Sequence, residues 1–121
     1  MIEVTYCMRR KAGLSHEEFV AHWEDVHVPI VLDNLAVLRL ALYQRTVPLQ
    51  HAFSERVERR RHMQAPFDGI ARLAWATPED MRMAFEDPHA LAVQRLLAQD
   101  EALFVDPAGS CRWVSRTVRH L

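Results

Sequence analysis

Apolar and polar side chains alternate from the second residue onward. Ile2, Val4, Tyr6 and Met8 fall on one side, and Glu3, Thr5, Cys7 and Arg9 on the other. This period of two predicts a strand over residues 2–10. Lys11-Ala12-Gly13-Leu14 breaks it, and Ser15 opens a helix. In Ser15-x-x-Glu18 the hydroxyl can accept an orphan backbone N–H while the carboxylate reaches back, the pattern of a capping box. Phe19, Trp23, Val26 and Ile30 then recur at helical spacing. Pro29 disfavours helical geometry at Val28, so the helix is predicted to end or kink there.

The alternation resumes over residues 37–47 and predicts a second strand. Val37, Ala41 and Tyr43 share one face with Arg39 and Arg45, and Leu38, Leu40 and Leu42 take the other. Residues 48–67 form a long connection, and its charge run from Glu55 to Arg61 reads as a solvated helical turn or a mobile loop. A third strand runs from Asp68 to Ala76. Thr77-Pro78-Glu79-Asp80 then places a capping hydroxyl, a proline and two acids as a helix start prefers. Pro88, with Asp87 as cap, restarts the helix. Leu91, Val93, Leu96 and Leu97 mark the buried side of that segment. A turn at residues 107–109 leads to a fourth strand over 111–118.

The predicted order is β-α-β-β-α-β, an α+β ferredoxin-like arrangement with two main helices on one face of a four-stranded antiparallel sheet. The second sheet face is left without a cover, and its expected residues include Tyr43 and Trp75. An uncovered apolar face is an association surface, so a homodimer joined through the sheets is the simplest completion.

Composition narrows the setting. The 121 residues suit a single domain, 1–121, with 50% hydrophobic and 26% charged residues. Fifteen basic residues against sixteen acidic ones give a net charge of −1, which offers nucleic acid no general attraction. Cys7 and Cys111 are the only cysteines. A disulfide scaffold would use more, so both read as reduced thiols in a cytoplasmic protein. No stretch approaches the ~20 apolar residues of a membrane span. Met1-Ile2-Glu3-Val4 enters the strand pattern directly, so no signal peptide is expected.

Two stretches carry a resemblance. Arg9-Arg10-Lys11-Ala12-Gly13-Leu14-Ser15-His16-Glu17-Glu18-Phe19, followed by Trp23-Glu24-Asp25-Val26-His27-Val28-Pro29, is similar to the opening motif of the EthD family. There, a strand ending in basic residues runs into K-x-G-L-S-x-E-E-F and then W-x-x-x-H-x-P. Residues 67–75, from Phe67 to Trp75, resemble the family's third strand, whereas 48–66 match poorly. The resemblance implies a dimeric α/β barrel of two ferredoxin-like subunits. It also implies small-molecule chemistry on cyclic, often aromatic or lactone-type intermediates in catabolism or polyketide metabolism.

His27 is the first candidate for chemistry. Histidine titrates near neutral pH, which suits proton transfer at an activated carbon, and the motif carries over to Trp23, His27 and Pro29. Capping of a helix C-terminus is the competing role for His27. Trp23 fits either the core stripe of its helix or a substrate wall. Tyr43 and Trp75 could form an aromatic wall or interface core. Arg45 and Arg72, with Arg39, could hold a carboxylate or enolate in a fork of N–H groups, or pair with acids such as Glu3 and Asp68. His51 and His62 lie in the long connection, where surface roles are the rule.

Metal patterns mostly fail. His16-Glu17 begins like H-E-x-x-H, but position 20 is Val. His22 and His27, five apart, are expected on different helix faces. No nucleophile elbow or phosphate-binding glycine loop occurs, and Cys7 has the context of a small buried thiol. Neither a cofactor nor a metal is therefore expected. The expected partner is a small hydrophobic cyclic ligand, with no nucleic acid and no membrane.

Three functions remain in view. The first is a cofactor-free enzyme of isomerase, cyclase or dehydratase type, with His27 as acid/base and Trp23, Tyr43, Arg45, Arg72 and Trp75 around the substrate. The second is a monooxygenase of the dimeric α/β barrel type, cofactor-independent or haem-using. The third is a non-catalytic ligand-binding or accessory protein.

Overall fold

The alternating segments pair into one antiparallel sheet. In the computed structural model, which describes residues 1–58 and 62–121, the strands are β1 (Ile2–Met8), β2 (Leu42–Thr46), β3 (Gly69–Trp75) and β4 (Cys111–Ser115). Their order is β2-β3-β1-β4, as the ferredoxin-like connection requires. Register places Val4 opposite Leu73 and Val114, and Tyr6 opposite Ala71 and Arg112. Tyr43 lies opposite Leu73. One sheet face therefore carries Val4, Tyr6, Met8, Ala71, Leu73, Trp75, Tyr43 and Arg112 together, because residues two apart share a face.

That face is covered by helices α1 (His16–His22), α2 (Val28–Leu32), α3 (Leu35–Leu38), α5 (Pro78–Glu86) and α6 (Pro88–Glu101), while a short α4 (Ser54–Glu58) lies in the long connection. Ser15 caps α1 through the expected box: its Oγ accepts from Glu18 N–H, and Glu18 Oε1 accepts from Ser15 N–H, each at 3.0 Å. Asp87 caps α6, accepting from the N–H groups of His89 and Ala90. Met8, Phe19, Trp23, Ala71, Phe104 and Val105 pack into one buried cluster, and Val31, Leu38 and Leu97 into another. The Trp23 ring lies against Gly69, where a side chain would overlap it.

The first helix does not stop at Pro29. Residues Trp23–His27 form a π-helical turn in which Val28 N–H reaches Trp23 O, and the chain then continues as α2. Proline has no N–H to give, and its ring presses on the carbonyl four residues back. One wider turn relieves both problems without ending the helix.

The second strand is shorter than its alternation suggested. Residues 37–41 do not join it; Leu35–Leu38 is helical, and Arg39 terminates that helix in the left-handed region at φ 54°. Leu38 is buried and its carbonyl accepts the indole N–H of Trp75 at 2.8 Å. Burial of Leu38 against Val31 and Leu97, with Leu35, Ala36 and Val37 left exposed, outcompeted an alternation that fitted equally well on paper. Arg39 consequently leaves the sheet and pairs with Asp80 at 3.2 Å. In the long connection, residues 54–58 form the helical turn with no buried residue. The rest of that charge run, 59–61, lies outside the described residues.

The open face also differs from expectation. Tyr43 and Trp75 point to the helices, not away from them. The open face instead holds a polar network. Arg72 donates to Glu3 at 2.9 Å and to Gln44 at 3.1 Å, and Thr117 donates to Glu3 at 2.9 Å. Burial pushes Glu3 up, but the bonds from Thr117 and Arg72 outweigh it and hold its carboxyl below the usual range. Cys7 and Cys111 sit opposite each other on this face as free thiols. Among the described residues, no helix is long and apolar enough to cross a membrane.

Candidate active site

A small cavity of about 70 Å³ lies between the sheet and the helices. The strands supply its floor through Val4, Tyr6, Ala71 and Leu73. Trp23, His27 and Val31 come from the first helix and its continuation, and Leu97 and Glu101 from α6. Tyr43 and Trp75 complete an aromatic wall, and Arg112 stands at one end.

His27 is 8% exposed and lines this cavity. Its Nδ1 lies 2.8 Å from Asp100 Oδ2. As a carboxylate Asp100 can only accept, so His27 donates from Nδ1, which in the neutral imidazole leaves the lone pair on Nε2. Nε2 has no hydrogen-bond partner among the described residues. The ring is held edge-on against Phe104, with centroids 5.2 Å apart. His27 does not cap a helix end, since the helix continues to Leu32 and the imidazole reaches across to α6.

Asp100 holds a second histidine. Its Oδ1 lies 2.9 Å from His22 Nε2, so both oxygens are taken and the group is 7% exposed. His22 and His27 were expected on different faces. The π-helical turn between them brings residues five apart onto one side, and both reach the same carboxylate.

Glu101, the next residue, turns to the cavity. Burial pushes its carboxyl above the ordinary value, opposed by the charges of His27 and Arg112 and by the Tyr6 hydroxyl. Tyr6 is itself pushed up to about 12, first by burial and then by the Glu101 charge. The Arg112 guanidinium lies 5.7 Å from the centre of the Tyr6 ring. The cavity thus has one polar corner of His27, Glu101, Tyr6 and Arg112 in an otherwise apolar enclosure.

Of the residues expected around a substrate, Trp23, Tyr43, Trp75 and His27 come together here. Arg45 and Arg72 do not line the cavity. Arg45 pairs with Glu24 and stacks over Trp23, its guanidinium 5.0 Å from the ring centre. Arg72 belongs to the opposite sheet face. His51 and His62 lie away from the cavity; His51 stacks on Phe53 with centroids 5.6 Å apart. Among the described residues, no three His, Cys, Asp or Glu side chains converge as a metal site.

Asp100, Glu101, Tyr6 and Arg112 were not singled out from sequence, and His22 was weighed only as a metal ligand and set aside. One signal for Asp100 was present. Ala90, Val93, Leu97, Asp100 and Phe104 are spaced three or four apart, so an acid occupies a core position of the helix. A buried carboxylate requires donors, and histidines on a neighbouring helix are natural ones.

Comparison with known proteins agrees with this architecture. The EthD domain profile matches residues 11–108. The crystal structure of an EthD family protein from Bacillus halodurans C-125 aligns with a TM-score of 0.64 at 11% identity, covering 98% of this chain and 99% of the other. A dimeric protein of unknown function and ferredoxin-like fold from Bacteroides fragilis aligns at 0.56 and 7% identity, covering 96% and 95%. SnoaB, a cofactor-independent oxygenase from Streptomyces nogalater, aligns at 0.52 and 13% identity, covering 98% and 95%. At such identities these structures share the fold. A search of curated proteins finds no match.

Proposed function

The chain belongs to the EthD domain family, and on that premise we propose that it is a cofactor-free enzyme moving a proton on a small cyclic ketone- or lactone-type substrate. One observation supports this above the others: an imidazole oriented by a buried carboxylate presents an unbonded nitrogen to an apolar, aromatic-walled cavity. His27 Nε2 takes a proton from the carbon beside the carbonyl, and Asp100 stabilises the imidazolium that forms. Trp23, Tyr43 and Trp75 hold the ring and keep water out. Low local dielectric strengthens the Asp100–His27 interaction as charge develops. The test is exchange of α-hydrogens for deuterium in a panel of cyclic ketones and lactones, followed by NMR. His27→Gln is expected to slow exchange by roughly 10²–10⁴-fold, the usual worth of a positioned acid/base. Equal rates in variant and wild type would favour a ligand-binding protein.

A second reading, cofactor-independent oxygenation, draws on the fold shared with SnoaB. Oxygen consumption with the same panel separates the two, since proton transfer proceeds unchanged without oxygen.

We also propose that the protein is a homodimer joined through its open sheet faces. Ile70, Leu42 and Trp113 lie on that face by register, and Trp113 is 49% exposed. The dimeric Bacteroides fragilis protein shares the fold. Light scattering at micromolar concentration is expected to give twice the 14.1 kDa of one chain. A mass of one chain would remove the proposal.

A further inference from the structure

We infer that Glu101 is the second proton-transferring group of this cavity, acting on the oxygen of a cyclic ketone or its enol while His27 acts on the adjacent carbon. This rests on the proton-transfer reading of His27 and adds what that reading leaves open: which atom of the substrate receives a proton, and from where.

Asp100 and Glu101 are consecutive, yet they face different partners. Asp100 is wholly engaged by His22 and His27. Glu101 lines the cavity beside Tyr6, Arg112 and His27. His27 and Glu101 therefore come from different helical segments and line one small space. They also differ in the form that acts. In the neutral imidazole His27 offers a lone pair on Nε2, since Nδ1 donates to Asp100. Burial favours the neutral, proton-bearing form of Glu101. A base facing a carbon and an acid facing an oxygen are what enolisation requires.

The step balances without any further reactant. His27 Nε2 takes the proton of the carbon beside the carbonyl. The electron pair of that C–H bond becomes the C=C bond of the enol. The carbonyl π pair moves to oxygen, which takes the Glu101 proton. The products are a neutral enol, an imidazolium and a carboxylate. Asp100 stands beside the new cation and Arg112 near the new anion. Return of a proton from His27 to the same or another carbon, and from the enol oxygen to Glu101, completes exchange or isomerisation.

The expected ligand class is a single planar ring carrying a carbonyl or enol oxygen, and phenol is a stable mimic of that enol. Binding of phenol and of benzene is measured by NMR titration for wild type, Glu101→Leu and Glu101→Gln. Wild type is expected to prefer phenol by about tenfold, the equivalent of one modest hydrogen bond, and Glu101→Leu to lose that preference. An unchanged preference in Glu101→Leu overturns the inference.

Melting temperature against pH gives a readout independent of ligand. A carboxyl raised in the folded state above its value of 4.5 makes stability fall as pH rises through the window above that value. Glu101→Gln lacks this loss. Its melting temperature is expected to gain progressively on wild type as pH rises above 4.5. A constant difference overturns the inference.

The two readings can fail separately. If His27→Gln abolishes α-hydrogen exchange while Glu101→Gln exchanges at the wild-type rate, Glu101 is not the acid and this inference falls alone. If His27→Gln has no effect but Glu101→Leu still loses its preference for phenol, the catalytic reading falls and the oxygen-binding role of Glu101 stands.

Discussion

Asp100→Asn is expected to leave the fold in place and to cut α-hydrogen exchange by roughly 10²–10⁴-fold. Asp100 accepts from His27 Nδ1 at 2.8 Å and from His22 Nε2 at 2.9 Å. Asn has a single acceptor oxygen and an NH₂ group that can only donate. Whichever way the amide lies, one histidine faces a donor and must turn over its tautomer or lose its bond. If that histidine is His27, its lone pair is consumed by the amide and no base faces the cavity. If it is His22, the carboxylate charge is still gone, and the imidazolium formed on His27 has lost its counterion. Activity falls in both orientations. The cost in stability is about 1–3 kcal/mol, that of buried polar groups left imperfectly paired. Nitrogen chemical shifts of His27 report its tautomer, and urea unfolding reports stability. A large loss of stability with full activity per folded molecule would show that Asp100 serves only to hold α6 on the first helix.

Trp23→Ala is expected to destabilise the protein by about 3–5 kcal/mol, the range for removing a buried aromatic side chain. A domain of this size has roughly 5–15 kcal/mol in total, so the variant sits near unfolding. Trp23 is 1% exposed. Phe19 packs against it edge to face at 5.7 Å, and the Arg45 guanidinium, reaching from β2, lies 5.0 Å from its ring centre. Its ring also fills the space that Gly69 leaves by having no side chain. Backbone lines that side of the void, so little can collapse into it, which places the cost at the upper part of the range. Urea denaturation checks the value. A loss below about 1 kcal/mol would mean that the surrounding helices close over the gap.

The strands β1 and β3, the capped starts at Ser15, Thr77 and Asp87, and the β-α-β-β-α-β order were legible from the chain. They depend on interactions between near neighbours: alternation across a pleat, a hydroxyl and a carboxylate three residues apart, a proline at a helix start. The EthD motif likewise pointed to the family, and to Trp23 and His27, which both line the cavity. Residues 35–41 were not legible, because Leu38, Leu40 and Leu42 satisfy a strand and Leu35 and Leu38 satisfy a helix. Burial of Leu38 against Val31 and Leu97 settled it, and those partners are remote in sequence.

The site divides in the same way. The chain by itself determined a histidine four residues after Trp23 on a capped helix, a proline two residues later, and tryptophans on nearby elements. Tertiary structure alone decided what they meet. The π-helical turn, forced by Pro29 within a helix that packing extends, put His22 and His27 on one side. The antiparallel return of α6 brought Asp100 to both of them across more than 70 residues. Register across β1 and β4 placed Arg112 beside Tyr6, and the face taken by Arg72 removed it from the cavity. Local pattern fixes which side of an element is buried. Which distant groups share that burial depends on the packing of whole elements, and a carboxylate acquires its partners, charge state and role only there.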